Sequence, residues 1–347
     1  MRLLLSGALP YHAGAGPPYI VGNYPPVYPA AVALLHLALS RAGDLAPGPG
    51  RALSAAAVLA AAVLLGLTLR RLGGGRAAAW LAACLVLAQP YVWRWGSLQR
   101  VDSLALAWTA AGLFAVARAP DRAARAWPWF LLAAMTRQDA VAGLAAALWF
   151  LWPERRRQAV RLLLRWGAAL GAAAAVLTLA SRGAFFVNVV LDNVNAWSPG
   201  RLGAAVGDWL GAGGLPLVLF AAWGWGRAAD LPGGGGRLLR GYAVAAAALI
   251  PTAGKVGASV NYLFPPIAAA AMLGGLTADA RRHGLAASLL LAVYAVGVPP
   301  LGDRPGPAGA IVRALTAYRD AGTPGYGVHI WPTPAGVLGG SDPLAVT

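Results

Sequence analysis

The chain has 347 residues, 59% of them hydrophobic and only 12% charged. A soluble domain carries about 25% charged residues, so this composition excludes an ordinary soluble enzyme and points to a polytopic membrane protein. The net charge of +16 does not indicate a nucleic-acid partner, because the arginines fall in short clusters between apolar runs and form no single stripe.

One of the cationic residues is a lysine, Lys255; the others are arginines. The single cysteine, Cys84, sits in an apolar run and has no partner for an intrachain disulfide. Four scattered histidines make no metal cluster. The opening "MRLLLSGALPYHAGAG" has an apolar stretch too short for a signal peptide. GxxxxGK[ST] is absent, which tells against an ATP-driven pump within this chain.

In chain order, "NYPPVYP" is stiffened by its prolines. The segment 27–40 is apolar but too short to span, and is expected as an interfacial helix on the outer leaflet. Spans are predicted near 52–70, 77–93, 103–118, 162–180, 241–253, 262–276 and 284–300, with a shorter one at 214–226. Segment 127–152, "WPWFLLAAMTRQDAVAGLAAALWFLW", is either one helix or two short ones turning at Thr136–Asp139.

The arginines decide between these. Five basic clusters (Arg70, Arg71 and Arg76; Arg118, Arg122 and Arg125; the run from Arg155 to Arg165; Arg227, Arg237 and Arg240; Arg281 and Arg282) share one side only if 127–152 crosses twice. A straight crossing would also bury Arg137 and Asp139 at mid-membrane, at a cost of several kcal/mol. The expectation is therefore an all-α protein with about ten transmembrane helices and a hairpin tip facing outward. Eight of the twelve acidic residues then lie outside, as do the longer polar loops 1–51 and 181–213 and the tail from 301. This gives an outer region over 1–51, a transmembrane domain over 52–300 and a Pro/Gly-rich outer tail over 301–347. Residue 1 falls outside on this topology, so a helix preceding it is expected.

Several polar residues stand out against this background. Asp102, in "LQRVDSLALAW", is either a cap on the following helix or a carboxylate that binds a metal or activates a hydroxyl. Trp93, Arg94 and Trp95 precede it as belt residues or phosphate holders. Arg137, Gln138 and Asp139 at the hairpin tip are either an internal ion pair or part of a site. Lys255, in "PTAGKVGASVNYLFPP", either snorkels at the interface or donates to a lipid phosphate. Asn261 and Tyr262 open the next helix.

The stretches "GNYPPVYPAAVALL", "GRALSAAAVLAAAVLLGLTLRRLGGGRAAAWLAACLVL", "LQRVDSLALAWTAAGLF", "LAAMTRQDAVAGL" and "GKVGASVNY" together resemble the GT-C class of membrane glycosyltransferases. The likeness is to the family 39-like group related to protein mannosyltransferases and aminoarabinose transferases. It covers roughly residues 1–275, with Arg137 standing in the lysine place of an "LTKQ" motif. The resemblance implies a polyprenyl-phosphate-linked sugar donor used on the outer face of a bacterial cytoplasmic membrane, and a lipid, glycan or protein acceptor. It also implies a principal acidic residue in the first outer loop, which this chain lacks ahead of Asp44.

Asp102 matches a second acidic position, with a role in orienting substrate, through a divalent metal or without one. Asp102 and Asp139 are the candidate catalytic residues. Arg100, Arg137 and Lys255 are the candidates for the donor phosphate, and Gln138, Asn261, Tyr262 and Tyr24 complete the substrate-binding set. The rival readings are a transporter or flippase of lipid-linked sugars, and a non-catalytic remnant of the family.

Overall fold

The computed structural model describes residues 9–11, 22–39 and 47–279, all within one compact unit, Met1–Gly297. The predicted span 284–300, the tail 301–347, Asp44 and the cluster Arg281–Arg282 lie outside the described residues.

The apolar runs form helices: α1 (Val27–Leu39), α2 (Gly48–Arg71), α3 (Arg76–Ala88), α4 (Pro90–Gly96), α5 (Val101–Arg118), α6 (Trp127–Ala134), α7 (Ala142–Leu151), α8 (Arg156–Ala180), α9 (Ala184–Val189), α10 (Pro199–Trp209), α11 (Leu215–Arg227), α12 (Gly235–Ala247) and α13 (Phe264–Gly275). Among the described residues no strand forms, and the one β-bridge joins Trp197 to Lys255. The protein is an all-α membrane protein. Five helical stretches are long and apolar enough to cross: α2, α5, α8, Pro199–Asp230 and Val260–Ala278.

Small residues set the packing, as expected where lipid removes the hydrophobic drive between helices and close van der Waals contact has to replace it. Helices α2, α3, α5 and α13 bury Leu65, Leu69, Leu113 and Ile267 completely or nearly so. Gly224 on α11 lies so close to α13 that a Cβ there would stand 1.8 Å from the carbonyl oxygen of Leu273. Helix α8 is the exception and buries only Ala159 and Leu162.

Two elements depart from the sequence expectation. The region 181–213, expected as a polar loop, contains α9 and α10, and Pro199–Asp230 is one long helical stretch interrupted by a π-turn at Leu210–Gly214. Glycines at 200, 203, 207 and 211 are weak helix formers, but Trp209 packs into the core and its indole N–H donates to Gln89 Oε1 at 3.2 Å. Tertiary packing outweighs the weak helix propensity of glycine. The run 77–93 breaks at Gln89, whose backbone is extended, into α3 and α4.

Segment 127–152 does turn. Residues 135–141 are non-helical, and Arg155 just beyond α7 binds Asp121 just ahead of α6 at 2.9 Å. The chain therefore returns to where it started, and Phe130 of α6 reaches Gly143 of α7. The arms are short, however. At 1.5 Å per residue, α6 and α7 extend about 12 and 15 Å, and neither matches a hydrocarbon core of about 30 Å by itself.

Four basic clusters gather at one end of the molecule. A Cβ on Gly73 would touch Pro232, Gly235 packs on Leu72, and Gln158 Oε1 accepts from the Ala124 amide. Glu154 stands 3.6 Å from Arg237. The loops after α2, α5, α7 and α11 thus form a single basic face, as the arginine argument requires of those four.

Candidate active site

Away from the basic face, α5 begins with Arg100 as its N-cap in an extended conformation, and the cap makes no side-chain hydrogen bond. Asp102 lies in the first turn, where a carboxylate is favoured by the helix dipole. It does not cap. Its side chain is fully buried and turns inward to three partners, two of them from distant parts of the chain. Arg137 Nη1 donates to Asp102 Oδ1 in a tight ion pair. Asn261 Nδ2 donates to the same oxygen at 2.8 Å, and Arg100 Nε approaches Oδ2 at 3.5 Å.

Arg137 is the hub. Its Nη2 donates to Asp139 Oδ2 at 2.9 Å, and its Nε lies 2.7 Å from Asp139 Oδ1, so the guanidinium grips that carboxylate along one edge. Nη1 also donates to the Asn261 carbonyl at 3.3 Å, and the planar group rests 4.1 Å over the Tyr262 ring. The tip that presents Arg137 is anchored by the Val27 amide, which donates to the Met135 carbonyl at 3.1 Å. Arg100 lies 4.3 Å over Trp95, and Ser54 holds its backbone. Burial, and next the Asp102 carboxylate, push the Tyr24 phenol up to about 12.

The structure therefore gathers Arg100, Asp102, Arg137, Asp139, Asn261, Tyr262 and Tyr24 in one place. Gln138 and Lys255 form a second tier. Gln138 Nε2 and Asn193 Nδ2 both donate to the Asn23 carbonyl, at 3.4 and 3.0 Å, and Lys255 Nζ donates to the Asn193 carbonyl at 3.5 Å. Lys255 thus meets the loop before α10, joined to the hairpin tip through Asn23 and Asn193.

Asn193 and Tyr242 escape the sequence reading of the site. Tyr242 is fully buried, its hydroxyl makes no hydrogen bond, and it lines a cavity of about 30 Å³ together with Asp102, Thr109, Arg137, Asp139 and Tyr262. That space holds about one water. No local pattern marks Tyr242, which looks like any aromatic in an apolar helix.

The donor set does not suit a metal ion. The cationic guanidinium of Arg137 stands between the two carboxylates, and among the described residues no three His, Cys, Asp or Glu side chains converge. The role of Asp102 is therefore derived without a metal.

Residues 49–137 match the family model described as dolichyl-phosphate-mannose-protein mannosyltransferase. Over this part of its length the chain is similar to a mannosyltransferase family, which supports a membrane glycosyltransferase. The matched part runs from α2 to the hairpin tip. It includes Arg100 and Asp102 and ends on Arg137, while Asp139, Lys255, Asn261 and Tyr262 lie beyond it. Neither the curated proteins nor the solved structures gave a match.

Proposed function

We propose that the protein transfers a sugar from a polyprenyl-phosphate carrier to an acceptor on the outer face of the membrane, at the end of the molecule opposite its basic loops. The observation that carries this reading is Arg137, held between Asp102 and Asp139 at the tip of the hairpin. A buried guanidinium is costly to desolvate, and an ionisable group at membrane depth marks a functional site by default.

The acceptor hydroxyl attacks the anomeric carbon as the bond from that carbon to the carrier phosphate breaks. The hydroxyl proton passes to a carboxylate, and the phosphate leaves with an added negative charge. Asp139, whose side chain is 27% exposed, takes the proton, whereas the fully buried Asp102 fixes Arg137 in place. Arg137 and Arg100 stabilise the departing phosphate. Lys255, on the second tier, meets the carrier phosphate from the loop side, and Asn261, Tyr262, Gln138 and Tyr24 orient the sugar.

The cavity of about 30 Å³ is too small for a sugar, so binding requires the tip to shift away from Tyr262. The charged groups lie at one end of the bundle, where a transporter would place its ionisable groups near the bilayer midplane.

The test is transfer from polyprenyl-phosphate mannose, as probe, to an acceptor in membranes. Asp139→Asn is expected to lower turnover at least 100-fold with binding of the carrier retained. Full turnover by both Asp139→Asn and Asp102→Asn would overturn the reading. Reporter fusions placing positions 102 and 156 in one compartment would overturn its topology.

A further inference from the structure

Between α7, α11 and α12 runs a groove of about 1120 Å³, larger than the roughly 300–1,000 Å³ of a usual small-molecule site. Its walls are apolar, with Leu148, Val244 and Ala248 among them, and it is open to the outside of the molecule. Three tryptophans line it and remain well exposed: Trp149 (65%), Trp152 (50%) and Trp225 (40%). Exposed tryptophans at a helix end mark the headgroup level of a bilayer.

The polar end of the groove is basic. Arg237 and Arg240 line it directly, and Arg156 lies 4.8 Å over the Trp152 ring. Arg240 is fixed in place by donating through Nη2 to the Trp225 carbonyl at 2.7 Å and through Nε at 3.1 Å. Glu154 faces Arg237 at 3.6 Å but is shared with Arg155 at 3.1 Å, and Arg155 also binds Asp121. Four arginines here meet two carboxylates, so positive charge is in excess.

We propose that this groove binds an anionic phospholipid from the leaflet bordering the basic loops. Its acyl chains lie along α7 and α12, and its phosphate sits at Arg237 and Arg240. A zwitterionic lipid would fill the same apolar space without answering the excess charge. The hydrocarbon tail of a carrier lipid, with its phosphate at the Arg137 end, would bring no anion to these arginines. The inference rests on the membrane fold and not on the transfer reaction.

The test uses the full chain in detergent, with phosphatidylglycerol, phosphatidylcholine and polyprenyl phosphate as probes. Binding is followed by native mass spectrometry and by tryptophan quenching with brominated acyl chains. Phosphatidylglycerol is expected to bind at least 10-fold more tightly than phosphatidylcholine, and Arg237→Gln with Arg240→Gln is expected to remove that preference. Arg240 also holds backbone carbonyls, so Arg237→Gln alone, expected to weaken the preference several-fold, and Ala245→Phe, expected to weaken binding of both phospholipids, provide variants that leave those bonds in place. Equal binding of the two phospholipids, a preference that survives in the double variant, or displacement of phosphatidylglycerol by equimolar polyprenyl phosphate would overturn the proposal. Lipid binding is read without sugar transfer, so its failure and the failure of the proposed reaction are separate results.

Discussion

Arg137 and Asp102 are 35 residues apart in the chain, yet their side chains form one buried ion pair, the guanidinium meeting Asp102 on one side and Asp139 on the other. Without Asp102, Arg137 keeps only Asp139, and without Arg137, Asp102 keeps only Asn261 and the more distant Arg100; breaking a buried pair typically costs about 3–5 kcal/mol. Asp102→Asn and Arg137→Gln are each expected to destabilise the protein by about that amount. The double variant should lose clearly less than the sum, giving a coupling of at least about 1.5 kcal/mol in unfolding measurements. Additive losses would mean that the two side chains act independently.

Asn261 supports the same oxygen of Asp102 from the start of the last described span. Asn261→Ala is expected to cost about 1.5–3 kcal/mol, the range for a hydrogen bond to a charged group. Asn261→Asp should cost more, because it sets a second carboxylate against Asp102. Thermal unfolding of both variants checks that order.

Two glycines with similar sequence surroundings should respond in opposite ways. Gly224→Ala places a methyl 1.8 Å from a backbone oxygen of α13, so α11 and α13 must separate. A loss of about 1–3 kcal/mol or more is expected, the cost of overpacking a rigid interface. Gly207→Ala on α10 meets nothing within 4 Å. It should be neutral or stabilising by up to about 1 kcal/mol through helix propensity. The difference in melting temperature between the two variants decides whether this interface is as tight as described.

Tyr24 gives a prediction at high pH. Burial raises its phenol to about 12 in the fold, above the ordinary value of 10.0. The folded state therefore holds the proton more tightly, and the stability linked to it is complete below pH 10 and declines as pH rises from 10 to 12. Tyr24→Phe should flatten that decline in unfolding measurements between pH 9 and 12. An unchanged slope would assign the loss to other groups.

An exposed pair should behave differently from the buried one. Asp121 is 85% exposed where it meets Arg155. Asp121→Asn is expected to change stability by less than about 1 kcal/mol, since solvent screens such pairs and long side chains lose entropy on pairing. A loss comparable to that of Asp102→Asn would show that the junction of α6 and α8 depends on this contact.

Much of the architecture was legible in the sequence. Composition fixed the all-α membrane class, because a span needs an uninterrupted apolar run and any sequence carries that record openly. The arginine clusters placed the loops after α2, α5, α7 and α11 at one end, and the polar tetrad at 136–139 marked a turn inside 127–152. Arg100, Asp102, Arg137 and Asp139 stood out because ionisable groups are rare in such a chain.

Tertiary structure decided the rest. That Asp102 turns to Arg137 and Asn261, and does not cap α5, depends on contacts across 35 and 159 positions, which no local pattern encodes. The helical form of 199–213, the inclusion of Tyr242 beside the carboxylates and the groove between α7, α11 and α12 likewise arise only when helices pack. Hydropathy and charge record how each segment meets lipid and water, whereas the partner of a buried side chain is set by which helices come to lie against it.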